Sequence, residues 1–330
     1  MIEKEKLIAQ IPYSLTAIEL PELGKKIAGK VRDSFVLSHK AGYETRVLIT
    51  SDRLSAFDVI LASIPFKGQV LNAMAAHWFE LTKDLVPNHI IAQPHPNVFI
   101  GRQVKILPIE VIVRGYLTGS AWRDYEAGRA VSGITLPKGM KRSQAFDSPL
   151  LTPSTKAEMG KHDEPISCEE IVSSGIVEKK LWEQVEEAAL KLFAFGQKKA
   201  NEQGLILVDT KYEFGVLEEP NGKLKLVLAD EVHTSDSSRY WILSSYKDRF
   251  EAGEDPQMLD KEFVRRYLIE QGFMGEGTPP KLSNDFLADT ALRYIEACEK
   301  ITGKSFAPTV GEIAGQIKAL VPEILSIARG

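Results

Sequence analysis

The stretch LILVDTKYEFG, residues 205–215, decides the fold because its character changes halfway along. It begins as an apolar run, which is typical of a buried strand. Charge then falls on every second residue, at Asp209, Lys211 and Glu213. Because side chains alternate between the two faces of a strand, these three are predicted to share one face. A core strand that directs an acid, a base and an acid to one place indicates a functional site.

The strand that follows, at 223–229, is predicted to pair with the first one. The Asn-Gly dipeptide at 221–222 is a strong signal for a two-residue hairpin turn, although the proline before it can shift the register. With that turn, Glu213 lies opposite Asp230. Opposed like charges destabilise a sheet unless something compensates them, and carboxylate oxygens suit Mg²⁺, which completes its shell with water and substrate phosphates. The hairpin therefore predicts a metal–nucleotide site; the alternative is a solvated face on which the acids meet lysines.

Composition and charge limit the class of protein. The 330 residues are 44% hydrophobic and 26% charged, which predicts a well-buried core in one large domain or two. The net charge of −4 gives no general argument for binding nucleic acid or an anionic membrane. No apolar run approaches the ~20 residues of a membrane helix. Two distant cysteines, Cys168 and Cys298, argue for a reducing compartment. We expect a cytoplasmic monomer or homodimer that acts without nucleic acid or membrane.

Strands and helices are mixed along the chain, without an internal repeat. Strands are predicted at 27–37 and 46–50, and a helix at 178–203 ends before a glycine. Residues 128–166 are rich in Gly, Pro, Ser and Lys, which predicts a long loop that is disordered or functional. The part after about residue 261 reads as mostly helical. This mixture predicts an α+β fold.

Two clusters suit the binding of phosphate. Gly29-Lys30 is a short turn between strands, where glycine lets the main chain approach a phosphate and the lysine neutralises it. Arg114 ends an apolar strand just before the small residues at 118–120. Each cluster has an ordinary alternative, a surface turn and a strand-to-loop transition. The sequence has no Walker, dinucleotide-binding or GxSxG motif and no zinc-ligand spacing, which argues against those classes of site.

Several stretches together resemble one family. LPIEVIVRGYLTGS (107–120) and LVDTKYEFG (207–215) resemble the two diagnostic motifs of the SAICAR synthetase (phosphoribosylaminoimidazole-succinocarboxamide synthase) family. GKVRDSF, TSDRLSAFDVI, LTPSTKAEMGKHDEPIS and LADEVHTSDSSRYW are also similar to it. The resemblance implies an α+β fold related to the ATP-grasp enzymes, with the nucleotide between two lobes. The lobes are expected at 1–109, with the glycine turn, and 110–330, with the metal-binding hairpin and C-terminal helices.

The same resemblance implies an ATP-dependent ligase of purine synthesis. Such an enzyme joins the carboxylate of carboxyaminoimidazole ribonucleotide (CAIR) to the amine of L-aspartate, giving SAICAR, ADP and phosphate through an acyl phosphate. Two rivals use the same features: a small-molecule kinase with the same ATP site, and a nucleotide-sensing binding module without turnover. A kinase would release ADP without aspartate, and a sensor would not need Lys211, Glu213 and Asp230 together.

Individual residues acquire implied roles. Contacts to ATP and Mg²⁺ are implied at Lys30, Arg32, Lys156, Glu110, Glu213 and Asp230, of which the last two are metal ligands. Contacts to the ribonucleotide are implied at Arg114, Ser120, Asp163, Lys211, Arg239 and Arg265. The implied catalytic groups are Lys211 and Asp163. The family's acceptor region is similar to SDRLSAFD, which contains Asp52, Ser55 and Asp58.

These residue types suit the chemistry. A carboxylate is a poor acyl donor until phosphorylation gives it a good leaving group. Transfer of a phosphoryl group between two anions needs positive charge, which Mg²⁺ and lysines supply. The attacking amine must lose a proton, and Asp163 or His162 is the expected acceptor.

Overall fold

The computed structural model describes residues 2–57, 59–156, 163–219, 222–259 and 262–330. Its strands, in chain order, are β1 (Ile27–Ala28), β2 (Arg32–Ser38), β3 (Glu44–Thr50), β4 (Arg53–Ala56), β5 (Val59–Ser63), β6 (Ile90–His95), β7 (Val98–Arg102), β8 (Lys105–Tyr116), β9 (Ala145–Leu151), β10 (Ser154–Thr155), β11 (Leu205–Glu218), β12 (Leu224–Ala229) and β13 (Ser238–Ile242). Every pairing between these strands is antiparallel, as an α+β fold requires.

The helices are α1 (Lys4–Gln10), α2 (Lys67–Thr82), α3 (Gly119–Glu126), α4 (Cys168–Ser173), α5 (Lys179–Glu202), α6 (Leu243–Glu251), α7 (Glu262–Glu270), α8 (Asn284–Thr302), α9 (Ile313–Ala319) and α10 (Val321–Arg329). Within the described ranges, no helix is long and apolar enough to cross a membrane. Both cysteines, Cys168 and Cys298, are free thiols.

The chain divides into two compact units that are not contiguous in sequence. Unit 1 contains Met1–His77, His89–Gln103 and Asp260–Gly330, and unit 2 contains Trp78–Asn88 and Val104–Leu259. The functional lobes expected at 1–109 and 110–330 stay a prediction, but packing groups the C-terminal residues with the N-terminal sheet. The physical reason is the apolar face of the last two helices, which covers that sheet.

Unit 1 is built on a five-stranded sheet with the order β1-β2-β3-β7-β6. Helix α10 packs against β2, β3 and β7. In β3, alternate residues from Thr45 to Ile49 are buried, as expected for a strand with one covered face. The core therefore combines residues from both ends of the chain: Leu20, Phe35, Val47, Ile49, Ile100, Ile317 and Ile324.

Unit 2 is built on β8 and β11, the two longest strands. Strand β11 pairs with β8 on one edge and with β12 and β13 on the other. Helix α5 packs against β11. Its first turn is capped by the Glu178 carboxylate, which accepts from the Leu181 N–H at 3.3 Å, and the chain leaves it at Gly204 with φ +70°. Burying Trp182 and Phe193 on this helix contributes roughly 1.5–3 kcal/mol each relative to exposure.

The segment 128–166 differs from the predicted long loop. It contains β9 and β10, which pair with β8, and residues 157–162 of it lie outside the described residues. The residues of β9 are exposed or only partly buried. An edge strand of this kind lacks the apolar run that a sequence pattern can detect.

Candidate functional site

Strand β11 holds the polar face that the sequence predicts. Asp209 lies between Arg114 on β8 and Arg239 on β13, and Glu213 lies between Glu110 on β8 and Ala229 on β12. Because β11 lies in the middle of a sheet, each of its polar residues has a neighbouring residue on the strand to either side. The structure thus forms two polar groups on one face, one around each acid.

The first group is the carboxylate–lysine cluster, which consists of Glu110, Lys156, Lys211 and Glu213. Lys211 Nζ donates to Glu110 Oε1 at 2.6 Å and to Glu213 Oε1 at 3.3 Å. The second contact confirms that Lys211 and Glu213 share a face. Lys156 Nζ donates to Glu213 Oε2 at 2.5 Å, and its main-chain N–H donates to Pro108 O at 3.0 Å, which fixes the start of this loop on β8.

The cluster holds its charges through mutual pairing. Burial opposes the charge on Lys211, but Glu213, Glu110 and Asp230 outweigh it and raise the pKa of the lysine. Burial also opposes charge on Glu213, but Lys211 and Lys156 lower the pKa of this carboxyl. Burial raises the pKa of Glu110 against the opposing effect of Lys211. At neutral pH the cluster therefore carries a charged Lys211 and a charged Glu213.

The hairpin after β11 departs from the predicted register by one residue. Glu213 pairs with Ala229 instead of Asp230. The Glu219 N–H donates to Lys223 O at 2.9 Å, so the turn is longer than two residues, although residues 220–221 lie outside the described part. Asp230 follows the end of β12 with φ +60°. It lies close enough to contribute to the raised pKa of Lys211.

The second group is the arginine pair, Arg114 and Arg239, with the carboxylate that joins them. Asp209 Oδ2 accepts from Arg239 Nη1 at 2.5 Å and from Arg114 Nη1 at 3.1 Å. Arg114 also donates to Ser120 Oγ at 3.0 Å and to Thr152 Oγ1 at 2.8 Å. Two guanidinium groups and a hydroxyl, with one shared acid, form a site that suits a doubly charged anion.

Gly119, at the start of α3, is required by this arrangement. Its φ is +59°, and a Cβ added to it would lie 2.8 Å from Arg239 Nη2. A larger residue would push the guanidinium away. The glycine that the sequence places before Ser120 therefore makes room for the second arginine.

Behind the polar face, β11 is fixed by buried groups. Tyr212 Oη and His233 Nε2 share a hydrogen bond of 2.5 Å, and Tyr240 Oη donates to the carbonyl oxygen of His233 at 2.7 Å. Burial lowers the pKa of His233 to about 3, so this imidazole is neutral at ordinary pH. The residue has φ +51°, and the hydrogen bonds hold this bend three residues after Asp230.

The other predicted residues occupy separate places. Asp163 is exposed and precedes Glu164, whose carbonyl oxygen accepts from the Thr155 N–H on β10 at 2.9 Å. Its charge contributes to the raised pKa of Glu110, after burial. Thus it lies near the carboxylate–lysine cluster. His162 and Asp58 lie outside the described residues.

Three predicted cationic residues belong to unit 1. Lys30 is exposed in the turn between β1 and β2, Arg32 begins β2, and Arg265 lies on α7. Asp52, in the expected acceptor region, is only 1% exposed and accepts main-chain N–H groups from Leu15 at 2.6 Å and Gly68 at 2.8 Å. Burial raises the pKa of Asp52 to about 6. This carboxyl fixes the start of α2.

Neither the sequence pattern nor the family resemblance assigns a binding or catalytic role to Asp209 or Thr152. Asp209 carried a signal, because the alternation of β11 places it on the polar face, but its two partners come from strands far away in sequence. Thr152 carried none, since a single threonine after an edge strand has no distinctive pattern. The local periodicity of a sequence does not show which distant strands pair with each other.

Comparisons with known proteins agree with the geometry. A sequence model of the SAICAR synthetase family matches residues 25–280. A phosphoribosylaminoimidazole-succinocarboxamide synthase of Legionella pneumophila is 45% identical over 302 residues, which cover 90% of this chain and 93% of that protein. One of the same name from Bacteroides fragilis is 48% identical over 282 residues, 84% of this chain and 87% of the relative. The structure of SAICAR synthase from Saccharomyces cerevisiae complexed with SAICAR matches with a TM-score of 0.77 at 35% identity, over 89% of this chain and 100% of that one.

Proposed function

The chain belongs to the SAICAR synthetase family and is an ATP-dependent ligase of purine biosynthesis; on that basis we propose that the carboxylate–lysine cluster and the arginine pair form its active site. The reaction condenses CAIR with L-aspartate to give SAICAR, ADP and phosphate. One observation carries the assignment: Asp209, Lys211 and Glu213 share one face of β11, so an anion site and a lysine bound by two carboxylates lie on the same strand.

The arginine pair is the proposed site of the ribonucleotide phosphate. Arg114 and Arg239 supply planar donors that match phosphate oxygens, and Ser120 supplies a hydroxyl. Arg114 is 6% exposed, so its charge is little screened by water. With the phosphate held there, the imidazole part of CAIR lies along β11 toward Lys211, and Arg265 is proposed as a further contact.

The reaction proceeds in two steps. A carboxylate oxygen of CAIR attacks the γ-phosphorus of ATP, the bond to the bridging oxygen breaks, and ADP leaves. The amine nitrogen of aspartate then attacks the acyl carbon, a C–N bond forms, and inorganic phosphate leaves with the C–O bond electrons. Lys211 and Lys156 neutralise the anions that meet in the first step. Asp163 is the proposed acceptor of the amine proton, with His162 as the alternative.

The donor set fits Mg²⁺. Glu213 and Asp230 offer hard carboxylate oxygens near one lysine, and Mg²⁺ is commonly held by one or two carboxylates and substrate phosphates. Within the described residues no group of three or more His, Cys, Asp or Glu is arranged to hold a metal ion, so any such ion would rest on these two carboxylates and its other ligands. When bound, Mg²⁺ neutralises phosphate charge on the nucleotide. Glu213 in turn is oriented by its contacts with Lys211 and Lys156.

The nucleotide contacts are proposed from the family's motifs. Lys30 lies in the glycine turn expected to cover the ATP phosphates, Arg32 follows that turn, and Lys156 is expected at the same phosphates. Glu110 is the expected contact beside the adenine, and its observed partner is Lys211. A cytoplasmic location and action without nucleic acid or membrane stay predictions from composition, and a monomeric or homodimeric state stays a prediction that composition does not supply.

The test is ADP release by the purified protein with Mg-ATP, CAIR and L-aspartate, with each omitted in turn, and with SAICAR measured in parallel. Release that requires all three, in a one-to-one ratio with SAICAR, supports the ligase. Release without aspartate indicates a kinase or hydrolysis of the acyl phosphate, and binding without release indicates a sensor. Glu213→Gln should lower turnover far more than CAIR binding, whereas equal loss of both would assign Glu213 a structural role.

A further inference from the structure

The guanidinium of Arg53, at the start of β4, binds three main-chain carbonyl oxygens. Nη2 donates to Gly29 O at 2.9 Å, Nε to Lys30 O at 3.0 Å, and Nη1 to Thr16 O at 2.7 Å. Asp33 completes the arrangement, with Oδ1 at 2.8 Å from Nη2 and Oδ2 at 3.4 Å from Nη1. Arg53 is 8% exposed and Asp33 is 3% exposed. The buried guanidinium thus donates from all three of its nitrogens, to the Gly29–Lys30 turn, to Thr16 and to Asp33.

The two carbonyl groups at Gly29 and Lys30 belong to the tight turn between β1 and β2. The strands pair up to Ala28 and Asp33, so the chain reverses within four residues. A Cβ at Gly29 would lie 2.5 Å from the carbonyl oxygen of Arg32, which leaves room only for glycine. The turn itself is exposed, whereas the guanidinium beneath it is buried.

The geometry of the peptide bond determines where the N–H groups of this turn point. In a trans peptide the N–H points opposite to the C=O, and no cis peptide occurs in the described residues. With the carbonyl oxygens of Gly29 and Lys30 directed at Arg53, the N–H groups of Lys30 and Val31 point away from it. Two consecutive N–H groups directed to one side form a concave donor pair that suits a phosphate. Thus Arg53 fixes the orientation of the groups that face the ligand.

We propose that Arg53, held by Asp33, is a positioning residue for ATP: it fixes the Gly29–Lys30 turn in the conformation that presents N–H groups to the nucleotide phosphates. This inference rests on the proposed function, which places the turn at ATP. Ordering a turn before the ligand arrives removes that entropy cost from binding. The loss of Arg53 should therefore weaken ATP binding selectively, with the chemistry and the CAIR site unaffected.

Arg53→Lys is the main variant, because lysine keeps the charge but lacks the planar fork that binds several carbonyl oxygens at once. We expect the KM for ATP to rise roughly tenfold or more, with kcat and the KM for CAIR within about threefold. Amide exchange of a peptide covering residues 27–35 should be faster in the variant without ATP. Asp33→Asn, which keeps the shape but loses the charge, should shift the KM for ATP in the same direction by less.

The matched control is Arg46→Lys. Arg46 is a half-buried arginine of β3, in the sheet that contains β1 and β2, and it donates to side chains, Gln103 Oε1 at 2.7 Å and Ser34 Oγ at 3.4 Å. It should leave the KM for ATP unchanged. If Arg53→Lys lowers kcat and raises every KM in proportion to a lower melting temperature, or leaves the KM for ATP unchanged, the inference is overturned.

Lys30→Ala separates the two proposals. If this variant raises the KM for ATP and Arg53→Lys does not, the turn contacts ATP and only the positioning role fails. If neither variant changes it, the placement of the turn at ATP fails first, and the inference fails with it. A selective rise in the KM for ATP in both Lys30→Ala and Arg53→Lys, with no change in Arg46→Lys, supports both proposals.

Discussion

Glu213 lies directly opposite Glu110 in the antiparallel pair of β8 and β11, and both carboxylates accept from the ammonium of Lys211. Opposed carboxylates repel each other, so this part of the sheet requires a cation. A lysine that is shared in this way stays charged and is held at a fixed place on the strand face. A divalent cation entering the site would relieve part of this repulsion, whereas a substrate anion would compete with the two carboxylates for Lys211.

Lys211→Met is expected to lower kcat by about 100-fold or more, because it removes the main cation facing the phosphoryl transfer. Steady-state kinetics with saturating substrates measure this. Lys225→Met, an exposed lysine of the neighbouring strand β12, is the control and should keep full activity. A Lys211→Met enzyme with near-normal kcat would remove Lys211 from the proposed mechanism.

Glu213→Gln is expected to raise the free Mg²⁺ concentration for half-maximal activity roughly tenfold or more, because an amide is a much weaker metal ligand than a carboxylate. Activity is titrated against free Mg²⁺ at fixed ATP, and calorimetry of CAIR binding without ATP checks the other subsite. Glu218→Gln, an exposed acid on the same strand, should change neither quantity. An unchanged Mg²⁺ requirement in Glu213→Gln would argue against this ligand.

Asp209→Asn is expected to raise the KM for CAIR roughly tenfold to hundredfold, with the KM for ATP unchanged. The variant removes the single negative charge that holds both guanidinium groups, so Arg114 and Arg239 repel each other before the phosphate arrives. Asp147→Asn on β9, which pairs with β8, is the control, since that carboxylate is exposed. Equal changes in both KM values would indicate general loss of structure instead.

Acid is expected to destabilise unit 2 through His233. Its pKa is lowered from 6.5 to about 3 by burial, so between these values the unfolded chain binds a proton that the folded chain does not. Stability from this group is therefore complete above pH 6.5 and falls as the pH decreases, by about 1.4 kcal/mol per pH unit. Melting temperatures at pH 8 and pH 5 measure the effect.

His233→Gln should show a smaller fall in melting temperature between pH 8 and pH 5 than the parent. It should also be less stable at pH 8, since Tyr212 loses a buried partner, at a cost of roughly 1–3 kcal/mol. Tyr212→Phe is the matched variant, because it removes the same hydrogen bond and keeps the buried imidazole. It should retain the full pH-dependent fall; if both variants lose it, burial of His233 is not its cause.

The alternation of β11 could be predicted from sequence because a strand's period of two is local. The positions of Asp209, Lys211 and Glu213 on one face followed directly from it, and their contacts confirm it. The pairing of Glu213 with Glu110 could not be predicted in this way, because β8 precedes β11 by about a hundred residues. Only the fold determines which residues of distant strands lie opposite each other.

The register of the β11–β12 hairpin depends on the length of its turn. An Asn-Gly dipeptide predicts a two-residue turn, but the main chain closes between Glu219 and Lys223, which moves every pair by one. The role of Arg53 was missed for a different reason. Its acceptors are main-chain carbonyl oxygens, which every residue possesses, so no side-chain pattern marks them.

The interleaving of the two units has a consequence for synthesis on the ribosome. The strands of unit 1 emerge first, but the side chains of Ile317 and Ile324 that complete their core come from the last two helices. Unit 2, whose sequence ends at Leu259, is complete well before that. Multidomain chains usually fold from the N-terminus as they emerge. Here the order is reversed, so the nascent N-terminal sheet keeps one apolar face uncovered until α9 and α10 have emerged.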